Sequence, residues 1–137
     1  MVGLKVGPIF YKIGTGDFLH NFFSSIAYNL EDNNWGEKFP FIMKELYTKE
    51  LSVEDIPEAV KEINLIREMF KEYAPNCVIW DIENLEKRPP WGDDIAGRIT
   101  SLSNYFYTSD GEDLFETFLK ALDTAAKVKK VLTIKSL

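Results

Sequence analysis

Cys77-Val78-Ile79-Trp80-Asp81-Ile82-Glu83 begins apolar on both prospective faces and carries carboxylates only toward its end. That pattern reads as an interior strand that reaches solvent at its finish. Upstream, Asp55 can cap a helix with Pro57 in its first turn and Glu58 three residues on, a capping-box arrangement. Ile56, Ala59, Val60, Ile63, Ile66 and Phe70 form the apolar stripe of that helix, and Pro75-Asn76 stops it. Downstream, Ser109 with Glu112, or Asp110 with Asp113, can cap a last helix. Its inward residues are Leu114, Phe115, Phe118, Leu119, Leu122, Ala125 and Ala126, and Val131 to Ile134 closes the chain as a short strand.

Working back to the start, Leu4 to Ile13 is rich in strand-favouring residues but interrupted by Gly7-Pro8, so it reads as a strand with an irregular, edge-like middle. Gly14-Thr15-Gly16 ends it. Leu19, Phe22, Phe23, Ile26 and Leu30 then follow helical spacing, with Asp17 or Thr15 able to cap the first turn. Asp32 to Gly36 is a loop, and Pro40 can start a shorter helix carrying Phe41, Ile42, Leu46 and Tyr47. Few strands and several helices, without regular alternation, give an α+β class. The expectation is a single domain over residues 1–137, with a small sheet of N-terminal, central and C-terminal strands packed with three to four amphipathic helices.

The chain has 137 residues, 45% of them hydrophobic and 28% charged, which suits one globular core and excludes a low-complexity function. No apolar run approaches the roughly 20 residues that span a bilayer, and the start lacks a signal-peptide pattern. A cytoplasmic protein with no membrane contact is expected. Cys77 is the only cysteine, so no internal disulfide or cysteine metal knuckle can form.

The net charge of −6 is uneven. Residues 77 to 123 hold 10 acids and 4 bases, whereas residues 124 to 137 hold 4 lysines and no acid. An acidic field repels phosphate backbones and attracts basic surfaces, so the expected partner is a basic protein and not a nucleic acid.

Three patterns imitate catalytic or cofactor sites. Asp17, His20 and Ser24 share one helix edge at triad-like spacing, but no glycine turn nearby offers an oxyanion hole, so capping and surface hydrogen bonding account for them. Gly14-Thr15-Gly16 lies between a strand and a helix, yet Leu19 stands where a dinucleotide loop needs its third glycine. Asp81 and Glu83 point to the same side of a strand, and Asp93-Asp94 could fold back toward them to hold Mg²⁺ for hydrolysis. No histidine ligand or nucleophile accompanies those four acids. A metal-dependent hydrolase using them is therefore the second reading, and an acidic subunit of another complex the third. The leading expectation has no enzymatic activity, catalytic residue, metal or cofactor.

Pro89-Pro90-Trp91 is held extended by proline, which delivers Trp91 on a stiff segment suited to an interface anchor or to a lid over the core. Tyr105, Phe106 and Tyr107 alternate faces if extended, sending both tyrosines outward.

Residues 14–26, Lys44-Glu45-Leu46-Tyr47, Val78 to Glu83, Pro89-Pro90-Trp91-Gly92 and Leu102 to Gly111 together resemble the bacterial immunity protein 70 family. The resemblance runs from about Gly3 to about Leu122. It implies a cytosolic protein that binds and neutralises a cognate toxin, often a nuclease, in a polymorphic toxin system of bacterial competition. The family brings no catalytic motif to carry over. With the charge and aromatic pattern, the expected partner-binding residues are Asp81, Glu83, Trp91, Asp93, Asp94, Tyr105, Tyr107 and Asp110.

Overall fold

The computed structural model describes residues 1–92 and 95–136. It is an α+β arrangement whose three-stranded sheet differs in origin from the sequence reading. Strand β1 (Val2–Val6) turns directly into β2 (Ile9–Gly14), and Gly7 takes a φ of +54° in the two-residue loop between them. Glycine is favoured there because tight hairpin loops need positive φ. Leu4 to Ile13 is thus two strands, with Gly7-Pro8 as the hairpin loop and not an interruption. The last strand, β3 (Leu132–Ser136), pairs antiparallel with β1, giving the order β2-β1-β3.

Cys77 to Glu83 is not a strand. A single 3₁₀ turn occupies Pro75–Cys77, and the chain then runs on as coil and turn without a strand partner. The sheet is centred on β1 instead. An apolar run of this length does not by itself distinguish a strand from a buried coil, and here polar side chains of a helix satisfy the backbone.

Helix α1 (Gly16–Leu30) is capped by Thr15, whose Oγ1 accepts the Phe18 amide at 3.1 Å. The Leu19, Phe22, Phe23, Ile26 and Leu30 stripe is buried. A π-helical segment, Phe41–Leu46, follows Pro40. Its first amides, Phe41 and Ile42, donate to the Glu62 carboxylate at 3.3 and 2.8 Å. Glu62 lies on α2 (Ile56–Phe70), and burial raises its carboxyl above the ordinary glutamate value. Asp55 stands at the N-cap position of α2 as expected, but its side chain makes no capping bond: a 3₁₀ turn, Val53–Asp55, leads into the helix and Asp55 accepts from Ser52 Oγ at 3.0 Å.

Helix α3 (Leu114–Val128) starts where its apolar stripe does, at Leu114, and later than the expected caps Ser109 and Asp110 suggest. Asp113 is its cap, accepting the Glu116 amide at 3.1 Å. Ser109 and Asp110 fall in a preceding turn, closed by the Gly111 amide on the Thr108 carbonyl and by the Glu112 amide on Thr108 Oγ1.

The core is strongly aromatic. Phe22 and Phe23 of α1 meet Phe118 of α3, and Phe70 of α2 meets Phe106 and Phe115. Leu4, Val6, Ile13 and Leu132 bring the sheet onto this cluster. Tyr11 on β2 fixes the sheet to α3 through a 2.6 Å hydrogen bond between its hydroxyl and that of Thr124. Among the described residues, no helix is long and apolar enough to cross a membrane.

Candidate functional site

The segment following Pro75–Cys77 is held along the polar edge of α1. Asn29 Nδ2 donates to the Cys77 carbonyl at 2.9 Å, and Ser25 Oγ bonds both the amide and the carbonyl of Ile79, at 3.0 and 3.4 Å. Ser24 Oγ accepts the Ile82 amide at 3.2 Å, and His20 Nε2 lies 3.3 Å from Asp81 Oδ1. These bonds provide the partners that buried backbone groups require. His20 and Ser24, two members of the triad-like spacing, are therefore fasteners for this segment and not a solvated edge.

Fastening the segment sets Trp80 against Trp91, with ring centroids 5.6 Å apart and planes at 90°. Trp91 Nε1 donates to the Tyr105 hydroxyl at 2.7 Å, while the residue remains 39% exposed. It is both folded onto its neighbours and available at the surface. Tyr105 is only 6% exposed, which corrects the expectation that both tyrosines face outward. The 3₁₀ turn Leu102–Asn104 breaks the extended geometry on which that alternation depended. Tyr107 is half-buried, and the Ser109 amide donates to the Ile13 carbonyl at 2.8 Å, tying this stretch to the end of β2.

Between these elements opens a cleft of about 550 Å³. Phe18, Trp80, Pro90, Trp91, Tyr105 and Tyr107 form most of its apolar wall, with Thr15, Asp17 and Ser109 supplying polar atoms. The volume falls within the range typical of ligand clefts. Three expected contact residues, Trp91, Tyr105 and Tyr107, thus converge. Trp80, Phe18 and Asp17 join them without having been expected there.

The expected acidic residues do not form one cluster. Asp81 sits at the other end of the fastened segment, beside His20 and with Lys87 Nζ 3.9 Å away. Its Oδ1 also accepts the Glu83 amide at 2.9 Å, while Glu83 itself is exposed. Asp110 pairs with Lys12 at 3.6 Å. Asp93 and Asp94 lie outside the described residues. With Cys77 to Glu83 not a strand, Asp81 and Glu83 do not share the strand face that the hydrolase reading required. Among the described residues, no three His, Cys, Asp or Glu side chains are grouped to hold a metal.

The Glu83 amide holds the Asp81 carboxyl below its ordinary value, with His20 and Lys87 adding to the effect against some burial. A carboxyl whose folded value is depressed contributes stability above its unfolded value near pH 4, and loses it as pH falls through the folded value. The stability difference between wild type and Asp81→Asn should therefore be fully present at pH 6 and disappear at strongly acid pH. Urea unfolding across that range checks this; a constant difference would contradict it. Nearby, Tyr47 accepts or donates at 3.0 Å to His20 Nδ1. Burial, followed by the charges of Glu83 and Asp81, raises its phenol above the usual value.

The sequence profile of immunity protein 70 matches residues 4–134, and the chain belongs to that family. It is thus an immunity protein by family. No curated protein and no solved structure gave a significant match.

Proposed function

We propose that this protein binds a cognate bacterial toxin domain in the cytosol and neutralises it by occupying a basic surface of that domain, without catalysis of its own. Family membership over residues 4–134 supports the immunity role. The half-exposed Trp91 among the residues lining an aromatic cleft is the observation that supports a contact there. Tryptophan and tyrosine are enriched among binding hot spots, because they bury large area at little entropic cost.

In this reading Trp91 and Tyr107 make the central apolar contact. Glu83 and Asp110 lie exposed on the surface and help steer a basic partner. Asp81 and Tyr105 act mainly by holding Glu83 and Trp91 in place through the Glu83 amide and the Trp91 indole. Asp93 and Asp94 follow Trp91 and Gly92 in the sequence and are proposed as further contacts. The protein's net charge of −6 favours fast capture of a basic domain, and a nuclease with a basic substrate groove fits that chemistry.

Co-expression with the toxin encoded beside it tests the proposal. Restored growth and a complex that survives gel filtration are expected. Unrelieved toxicity together with no complex would overturn it.

A further inference from the structure

The geometry points to the aromatic cleft as a receptor for a cationic side chain, specifically an arginine presented by the bound partner. The inference rests on the toxin-binding reading only for who presents that arginine. Trp80 and Trp91 meet edge to face, at 90° with centroids 5.6 Å apart, and both line the cleft. Phe18 and Tyr107 add further aromatic surface. The faces of aromatic rings carry negative potential and attract cations, and a planar guanidinium can also stack on them.

Asp17 supplies the charge. It is exposed and is one of the residues lining the cleft, and its side chain is not used as the helix cap because Thr15 takes that role. The Asp17 carboxylate makes no hydrogen bond or ion pair with another described residue. A purely apolar occupant would suit the walls but would cover this carboxylate without pairing it, which is unfavourable. A guanidinium satisfies both. The same fold already places guanidinium groups over aromatic rings: Arg98 Cζ lies 4.9 Å from the Tyr107 centroid and Arg67 Cζ 5.7 Å from that of Phe115. Arg98 covers one face of Tyr107 and is not itself among the residues lining the cleft.

The test is a titration of the intact protein followed through its three tryptophan indole N–H signals in an NMR spectrum. Trp80 and Trp91 line the cleft, whereas the Trp35 indole is committed to the Met43 carbonyl at 2.7 Å and serves as an internal control. The probes are N-acetyl-arginine methylamide, its neutral isostere N-acetyl-citrulline methylamide, and N-acetyl-leucine methylamide. Arginine is expected to shift the Trp80 and Trp91 signals saturably, leave Trp35 unmoved, and bind about fivefold tighter than citrulline or leucine. Asp17→Asn should weaken arginine binding severalfold while leaving citrulline and leucine unchanged, the remaining preference being that of the rings.

Equal binding of citrulline or leucine, absence of any Trp80 or Trp91 shift, or an arginine affinity unaffected by Asp17→Asn would each overturn the inference. A failed titration with intact growth rescue removes the arginine site alone. Failed rescue with a successful titration removes the toxin reading and leaves the cation site.

Discussion

Phe22→Ala is expected to lower the unfolding free energy by about 4 kcal/mol, a large share of the 5–15 kcal/mol typical of a domain. Phe22 is fully buried. Its ring meets those of Phe106, Phe115, Phe118 and Phe23 at centroid distances of 5.1, 5.3, 5.4 and 5.7 Å. These neighbours come from α1, α3 and the segment before α3, each anchored by its own hydrogen bonds. The walls therefore cannot close fully on the space left by the ring, which places the cost toward the upper part of the range for such truncations. Urea unfolding measures it, with Phe22→Leu losing much less. A loss below about 1.5 kcal/mol for the alanine variant would mean that the aromatic cluster repacks freely.

Glu31→Ala is expected to cost about 3 kcal/mol. Glu31 is 5% exposed yet lies at the end of α1 with no positive partner among the described residues. Its role is to accept three backbone amides: Gly36 on Oε1 at 3.1 Å, and Lys38 and Phe39 on Oε2 at 2.9 and 3.0 Å. Gly36 adopts a φ of +80° to turn the loop around the carboxylate. Alanine leaves those amides without their acceptor, whereas glutamine can keep the oxygen that serves Lys38 and Phe39 and loses only the Gly36 bond. Unfolding curves should therefore rank wild type above Glu31→Gln and Glu31→Ala last. Equal stability of all three would show that solvent replaces the carboxylate without cost.

The helices are legible in the sequence because their apolar stripes repeat at helical spacing. Leu19, Phe22, Phe23, Ile26 and Leu30 on α1, and Ile56, Ala59, Ile63, Ile66 and Phe70 on α2, are buried as that spacing requires. The C-terminal strand is found within two residues at each end of its expected span. Cys77 to Glu83 departs from the strand its pattern suggests because its hydrogen-bond partners are side chains roughly fifty residues earlier: Ser24, Ser25 and Asn29 of α1. An apolar run carries no local sign of such partners. The hairpin was missed because Gly7-Pro8 suits both a two-residue loop and a broken strand.

The same distinction between local and distant partners governs the site. Trp91 is recognisable from its stiff Pro-Pro setting, and Tyr107 from its aromatic neighbourhood. Trp80 reads as part of a strand until the α1 serines turn it toward Trp91. Asp17 reads as one end of a polar helix stripe, and only the fold, with Thr15 as the helix cap, places it among the residues lining the cleft. Tyr105 becomes a buried support once the turn at Leu102–Asn104 removes the strand-like alternation.

The proposed toxin contact is the surface around Trp91. Its most direct test is the dissociation constant of the complex with the cognate toxin for wild type, Trp91→Ala and Leu65→Ala, with circular dichroism confirming that each variant is folded. Leu65 is also exposed but belongs to α2, and it lines none of the cleft. Weakening of at least about tenfold for Trp91→Ala with Leu65→Ala unchanged is the predicted result. Wild-type affinity in a folded Trp91→Ala protein would contradict it.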